Sequence, residues 1–390
     1  MTEQLKLKLN DSKATRWGAL VIVAFTMMAA YYVNDVVAPL KTMLETDLAW
    51  SSTDFGFFTG GYSFLNVFFL MLIWGGLILD RFGIRFTGKL ATILMVGGTA
   101  LEYYAMTGLA GADATLFGIN EIFGYKTGVF VAFAGYSIFG VGAEVAGITV
   151  SKIIAKWFKG KELATAMGVQ VALARIGSQA GYAVAIPLAR AFGISTPVLL
   201  GLVLLLGGMI AFFIFAVMDK KLDKQMEAAA IAAGTGDVEE KFSFKDVKNI
   251  LVNPGFWLIA LLCVLFYSCV FPFQKFASEL MIIKYGINEN VAGTFAGLPA
   301  LGALILTPVF GGFIDKRGKS ASIMLLGSAM LICVHFIYAI PDINYWLVAI
   351  VLMIILGIAF SLVPSAMWPA VAKIFPVSQL GTAYALICFC

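Results

Sequence analysis

An acid and a base stand inside runs of residues that are otherwise small and apolar. Glu144 lies in Gly140-Val-Gly-Ala-Glu-Val-Ala-Gly147 and Arg175 in Ala174-Arg-Ile-Gly-Ser178. The two runs flank a short basic turn near residues 158–160, and at about 1.5 Å per helical residue both charges sit at a similar distance from it. Ionised groups in apolar surroundings are costly unless paired, hydrated or bound. Two arrangements meet that cost. One is a fixed ion pair locking the runs together; the other is a site for a zwitterion, with Glu144 taking an ammonium and the planar fork of Arg175 a carboxylate. Gly142, Ala143, Gly147, Ala174 and Gly177 leave room for close helix packing or for a ligand. Tyr62 and Asn66 fall one helical turn apart and so share a face, which the cost of burying an amide turns inward. Asp35, after Tyr31, Tyr32 and Asn34, is either a residue snorkelling to headgroups or a cavity group.

The elements that carry these residues are set by composition. With 61% hydrophobic and 13% charged residues over 390 positions, and a mean hydropathy of +0.92, the chain cannot present a mainly polar surface to water. It reads as an all-α, multi-pass membrane protein. Spans of roughly 20 apolar residues cross a core of about 30 Å. Runs of that kind occupy 17–40, 55–79, 87–109, 128–152, 162–187, 195–218, 254–283, 289–314, 320–340 and 344–371, with a further one beginning near Gln379. Helices are expected, because backbone groups in lipid must pair within their own segment. Most of the 27 Lys and Arg fall in the N-terminal tail and in every second loop, so the N-terminus is expected in the cytoplasm. Lys152, Lys156, Lys159 and Lys161, like Lys220, Lys221 and Lys224, read as orientation anchors and not as a nucleic-acid patch.

A repeat organises the whole. Gly76, Asp80, Arg81 and Gly83, followed by Arg85, recur at a constant offset as Gly311, Asp315, Lys316 and Gly318, each set after a long apolar run. Later matches, Lys156-Trp-Phe158 with Lys373-Ile-Phe375, keep a shorter offset, as though the first half carried an insertion between 108 and 127. This predicts a six-helix half over 1–218, a cytoplasmic linker over 219–252, and a second half over 253–390 whose last two helices are largely missing. Asp80 and Asp315 lie too near the cytoplasmic edge to touch a midplane ligand. They are expected to govern conformational exchange, Asp80 by capping a neighbouring helix or pairing with a base.

Other chemistry is sparse. His335 has no carboxylate nearby in sequence and reads as an interhelical hydrogen-bond partner. The five Cys lack a Cys-x-x-Cys pair, and no nucleophile elbow, zinc motif or complete phosphate loop is present. Neither a metal nor a cofactor is expected, and an enzyme is disfavoured.

The loop motif Gly76-x-x-x-Asp80-Arg81-x-Gly83-x-Arg85 and its second copy resemble the signature of the major facilitator superfamily of secondary transporters. More narrowly, Tyr62-Ser63 with Asn66, Trp157 to Leu163, Ala174 to Ser178, Phe271-Pro-Phe273, Pro308 to Gly311, Trp368-Pro369 and Gln379 to Tyr384 are similar to a dipeptide-carrying lysosomal branch of that family. The resemblance implies a uniporter of dipeptides, including ones with cationic side chains, working by alternating access, with a proton-coupled symporter of peptides or other small organic solutes as the alternative. It implies substrate-binding roles for Glu144, Arg175, Asp35 and Tyr267. It also implies a lysosomal membrane in an animal, or a bacterial inner membrane given the absence of a dileucine sorting signal, and an accessory glycoprotein known for the lysosomal member. Lys275 departs from the small residue that the family has there.

Overall fold

The computed structural model describes residues 8–111, 114–158, 161–233, 250–317 and 319–375, together with 383, 386 and 387. Twelve α-helices occur among the described residues: α1 (Lys13–Val36), α2 (Lys41–Asp47), α3 (Ser52–Phe68), α4 (Met71–Thr107), α5 (Thr127–Trp157), α6 (Leu163–Phe192), α7 (Thr196–Ala233), α8 (Pro254–Ile283), α9 (Glu289–Ala296), α10 (Leu298–Arg317), α11 (Ser320–Ala339) and α12 (Trp346–Ile374). Among the described residues, seven segments are long and apolar enough to cross a membrane, eight when α3 and Met71–Leu79, bent by 58°, count as one broken span. The expected spans 87–109 and 162–187 are helical too, falling on α4 up to Thr107 and on α6 from Leu163. Lys89 and Glu102 in the first, and Gln170, Arg175 and Gln179 in the second, make them more polar than the rest.

Local chemistry explains several boundaries. Ser51 and Asp54 form a reciprocal capping box at the start of α3, Ser51 Oγ accepting from the Asp54 amide at 3.1 Å and Asp54 Oδ2 from the Ser51 amide at 2.8 Å. Asn253 caps α8 by accepting from Gly255 N at 2.8 Å, with Pro254 in the first turn where no amide proton is needed. The loop after the second expected span is tighter than the sequence suggests. Gly83 alone leaves helical geometry, at φ 76° and ψ 173°, so α4 runs through the junction with one kink. That conformation is open only to glycine at little cost. Residues 219–233 are a correction: read as the start of a linker, they continue α7, whose last turns are rich in alanine.

The described chain divides into two compact units, Met1–Val33 with Trp50–Gly177 and Val198–Glu239, and Asn34–Ala49 with Ser178–Pro197 and Glu240–Cys390. In the first, α5 packs along both α3 and α4 and buries Tyr136, Phe139 and Trp157 completely. A short hairpin, β1 (Glu121–Ile122) with β2 (Tyr125–Lys126), leads into α5, and Tyr125 stacks on Phe57 with centroids 3.9 Å apart. In the second, α12 packs on α10 and α11, and Val334, Leu352, Met353, Leu356 and Val363 are buried with Val270, Ala277 and Met281 of α8.

Candidate functional site

Glycine sets the distance at which α5 presents Glu144. A methyl group added at Gly140 would run into the Tyr62 carbonyl of α3, so the two backbones meet only because no Cβ is there. Across that contact Tyr62 Oη donates to Glu144 Oε1 at 2.8 Å. The Tyr62 ring is held by Tyr136 and Phe139, with centroids 5.7 and 6.2 Å away. Asn66, on the same face as Tyr62, donates from Nδ2 to the Tyr62 carbonyl at 3.1 Å. Its buried Oδ1 meets no hydrogen-bond partner among the described residues. An unfilled buried acceptor calls for water or a ligand donor.

Arg175 is placed by α6 in the same unit. Gly177 abuts the Met28 carbonyl of α1, again closer than a Cβ allows. The Arg175 guanidinium lies 5.5 Å from the Tyr31 ring centre, a cation–π contact. No ion pair joins Glu144 to Arg175 among the described contacts. The fixed lock between the two helices is therefore not formed: Glu144 accepts from Tyr62, and Arg175 lies over Tyr31.

In the second unit, Asp35 is neither free nor bound for the headgroups. Its Oδ1 accepts from Asn34 Nδ2 at 2.9 Å and faces Lys275 Nζ of α8 at 3.6 Å. Tyr267 stacks on Phe271 with centroids 5.0 Å apart and stands edge-on to Phe266. His335 makes the interhelical contact read from sequence, its Nε2 lying 3.2 Å from the Cys269 carbonyl of α8.

The loop motif holds one partner set that sequence reasoning missed. Arg85 Nη1 reaches Asp219 at 3.3 Å and Asp223 at 2.5 Å, while Lys156 Nζ reaches the same two carboxylates at 2.7 and 2.5 Å. Trp157 Nε1 adds a third donor to Asp219 at 3.0 Å. Asp219 is fully buried. Lys156 is thus a specific partner as well as an orientation anchor. The available signal was an Asp one turn from a second Asp at the end of an apolar run. Gly76 and Gly311 lie in helix with open space beside them, and Arg81 rests over the Phe82 ring at 5.5 Å. The side chains of Asp80, Asp315 and Lys316 lie outside the described residues, so the expected Asp80 contact does too.

A profile of the Major Facilitator Superfamily matches residues 20–390. The chain belongs to that superfamily. It is therefore an integral, multi-pass membrane protein that transports a small molecule, not an enzyme. Within the Major Facilitator Superfamily it is similar to the lysosomal dipeptide transporter MFSD1 of Homo sapiens, 30% identical over 381 residues, covering 95% of this chain and 76% of the human protein. The same transporter from Pongo abelii is 29% identical over 375 residues, 94% of this chain and 74% of that protein. Among solved structures, a D-xylose-proton symporter superposes with a TM-score of 0.66 at 17% identity, over 96% of this chain and 86% of the other. That likeness is one of fold, and it agrees with the all-α architecture.

Proposed function

We propose that this transporter carries dipeptides, as a uniporter working by alternating access. The observation that supports this most is that Glu144 and Arg175, a carboxylate and a guanidinium in one unit, are not spent on each other. A dipeptide supplies one charge of each sign. Glu144 takes its ammonium, with Tyr62 orienting the carboxylate and the open Asn66 Oδ1 accepting a further N–H; Arg175 takes the terminal carboxylate in a bidentate fork. Asp35 and Tyr267 of the second unit are proposed as substrate-binding residues on the family resemblance. The names of the similar proteins point the same way. The residues Gly76, Asp80, Arg81, Gly83, Arg85, Gly311, Asp315 and Lys316 serve conformational exchange, with Gly83 as a pivot between two helical stretches.

The test is uptake of labelled Ala-Ala into liposomes holding the protein. Saturable uptake that is lost in Glu144→Gln and in Arg175→Ala supports the reading; full uptake by both variants contradicts it. Proton-coupled symport is the second reading, favoured by one observation: the carboxylate of Glu144 faces a hydroxyl and not a cation, which leaves it able to exchange a proton. An imposed proton gradient that drives Ala-Ala accumulation against its own gradient would decide for symport.

A further inference from the structure

Two short stretches remote in sequence, Asn34–Ala49 and Ser178–Pro197, fold into one compact unit with Glu240–Cys390. The seam they make with α8 and α9 is tightly packed. Ala38 and Tyr182 share a buried apolar cluster with Ala277 and Met281 of α8 and Ala292 of α9. A methyl group added at Gly293 of α9 would strike the Tyr182 carbonyl, so α6 and α9 touch backbone to backbone. Tyr182 Oη also donates to the Gln274 carbonyl of α8 at 3.2 Å.

Two sets of charges cross this seam, and they differ in depth. Arg190 of α6 reaches Glu289 and Asn290 of α9, and the side chains of its charged pair are 43% and 40% accessible. Lys41 of α2 is 1% exposed, and its Nζ donates to Glu279 of α8 at 2.5 Å and to Glu45 of its own helix at 2.6 Å. Tearing a buried ammonium from a lone carboxylate is strongly unfavourable. Glu45 changes that. It stands one turn from Lys41 on α2 and moves with it, so parting α2 from α8 breaks one charge-assisted bond and keeps the other.

We propose that Lys41, Glu45 and Glu279 form a reversible clasp that keeps the transport path shut at this end of the second unit, Glu279 releasing Lys41 when α2 and α8 part. This rests on the alternating-access reading above and not on the identity of the substrate. The two carboxylates act in opposite senses. Glu279 holds Lys41 only while the seam is shut, whereas Glu45 bonds it in both states and so lowers the cost of opening. Glu45 also repels Glu279, and that repulsion too is felt only while the seam is shut. A merely structural triad has no such opposition, since loss of either carboxylate loosens it.

The experiment follows opening by thiol labelling of the purified protein, with Ser278→Cys as reporter. Ser278 is buried and lies one turn from Lys275, whose Nζ donates to the Asn34 carbonyl across the same seam at 2.5 Å. A hydrophilic maleimide labels the reporter at a rate set by the open fraction. Adding Glu279→Gln is expected to raise that rate about tenfold, the scale of one charge-assisted hydrogen bond. Glu45→Gln is expected to lower it, and Arg190→Gln, at an exposed pair, to change it by less than about twofold. The native Cys263, buried on α8 and roughly 22 Å from the reporter, is the control for general loosening and should keep its rate. No rise in Glu279→Gln, a rise in Glu45→Gln, or a rise at Cys263 equal to that at the reporter overturns the clasp and leaves the dipeptide reading intact. Labelling needs no substrate, so failure of Ala-Ala uptake contradicts the dipeptide reading and leaves the clasp standing.

Discussion

Two charged clusters of the same unit are built to opposite ends. Around Asp219 every charge is answered: Arg85 and Lys156 each reach both Asp219 and Asp223, and Trp157 contributes a further N–H. Around Glu144 and Arg175 the charges face aromatic groups, and one amide oxygen close by has no partner among the described residues. A network closed on itself stabilises an arrangement and offers nothing to a ligand. A buried acceptor left unfilled, as Asn66 Oδ1 is among the described residues, costs stability until water or a ligand donor meets it, which is what the proposed site needs. Position agrees with chemistry: the closed cluster ties the end of α5 and the interior of α7 to the kinked junction of α4, whereas Glu144 and Arg175 lie well inside α5 and α6.

Substitutions should separate the two clusters. The largest effect is expected at the open one: Glu144→Gln or Arg175→Ala lowers dipeptide uptake by about 100-fold, the loss of one charge-assisted contact in a shielded site. The melting temperature in detergent should stay closer to that of the wild-type protein than in the variant at the closed cluster, because Glu144 and Arg175 do not hold each other. At the closed cluster the pattern inverts. Asp219→Asn leaves two cations short of a buried partner and is expected to cost about 3 kcal/mol of stability, read by thermal unfolding, with KM for Ala-Ala unchanged in the fraction that stays folded. Tyr62→Phe is the intermediate case. It removes one neutral donor to Glu144, so KM rises about fivefold with little change in melting, the scale of a single hydrogen bond.

The smallest effect concerns pH and a third, peripheral cluster. Lys161 hydrogen-bonded to Asp11, at 2.6 Å, and Arg16 hydrogen-bonded to Glu162, at 2.7 Å, hold both carboxyls below their ordinary values. A carboxyl whose pKa falls on folding contributes stability above its unfolded value, and that contribution drains away as pH drops through the folded one. Melting temperature should therefore decline slightly below about pH 4. The Asp11→Asn, Glu162→Gln double variant should flatten that decline. Because these side chains are partly exposed, salt should weaken the effect as well.

What sequence could show here follows from the range of the interactions. Apolar runs gave the helices, since lipid forces backbone groups to pair locally. Helical spacing alone put Tyr62 and Asn66 on one face, and the shared distance from one turn put Glu144 and Arg175 at similar depth. The choice between a fixed pair and two separate charges was not legible, for it depends on how far apart α5 and α6 stand once Gly140 and Gly177 have seated their helices. Asp219, read as the first residue of a linker, turned out to be the most buried carboxylate of its cluster; its partners lie on α4 and α5, distant in sequence. Lys275 was visible only as a departure from a resembling family, and its partner Asp35 comes from another helix altogether. The bend between α3 and α4 had no signal of its own, because Leu70, at φ 55°, is neither glycine nor proline.

The central claim is that Glu144 and Arg175 receive the two ends of the substrate. End-group discrimination tests it most directly: inhibition of labelled Ala-Ala uptake by Ala-Ala, N-acetyl-Ala-Ala and Ala-Ala-amide, compared in the wild-type protein, Glu144→Gln and Arg175→Ala. The wild-type protein should reject both capped peptides. In the variants, whose residual uptake is read at high protein density, Glu144→Gln should no longer distinguish the acetylated peptide from the free one, and Arg175→Ala should no longer distinguish the amide. Variants that keep the full discrimination of the wild-type protein at both ends would contradict the account.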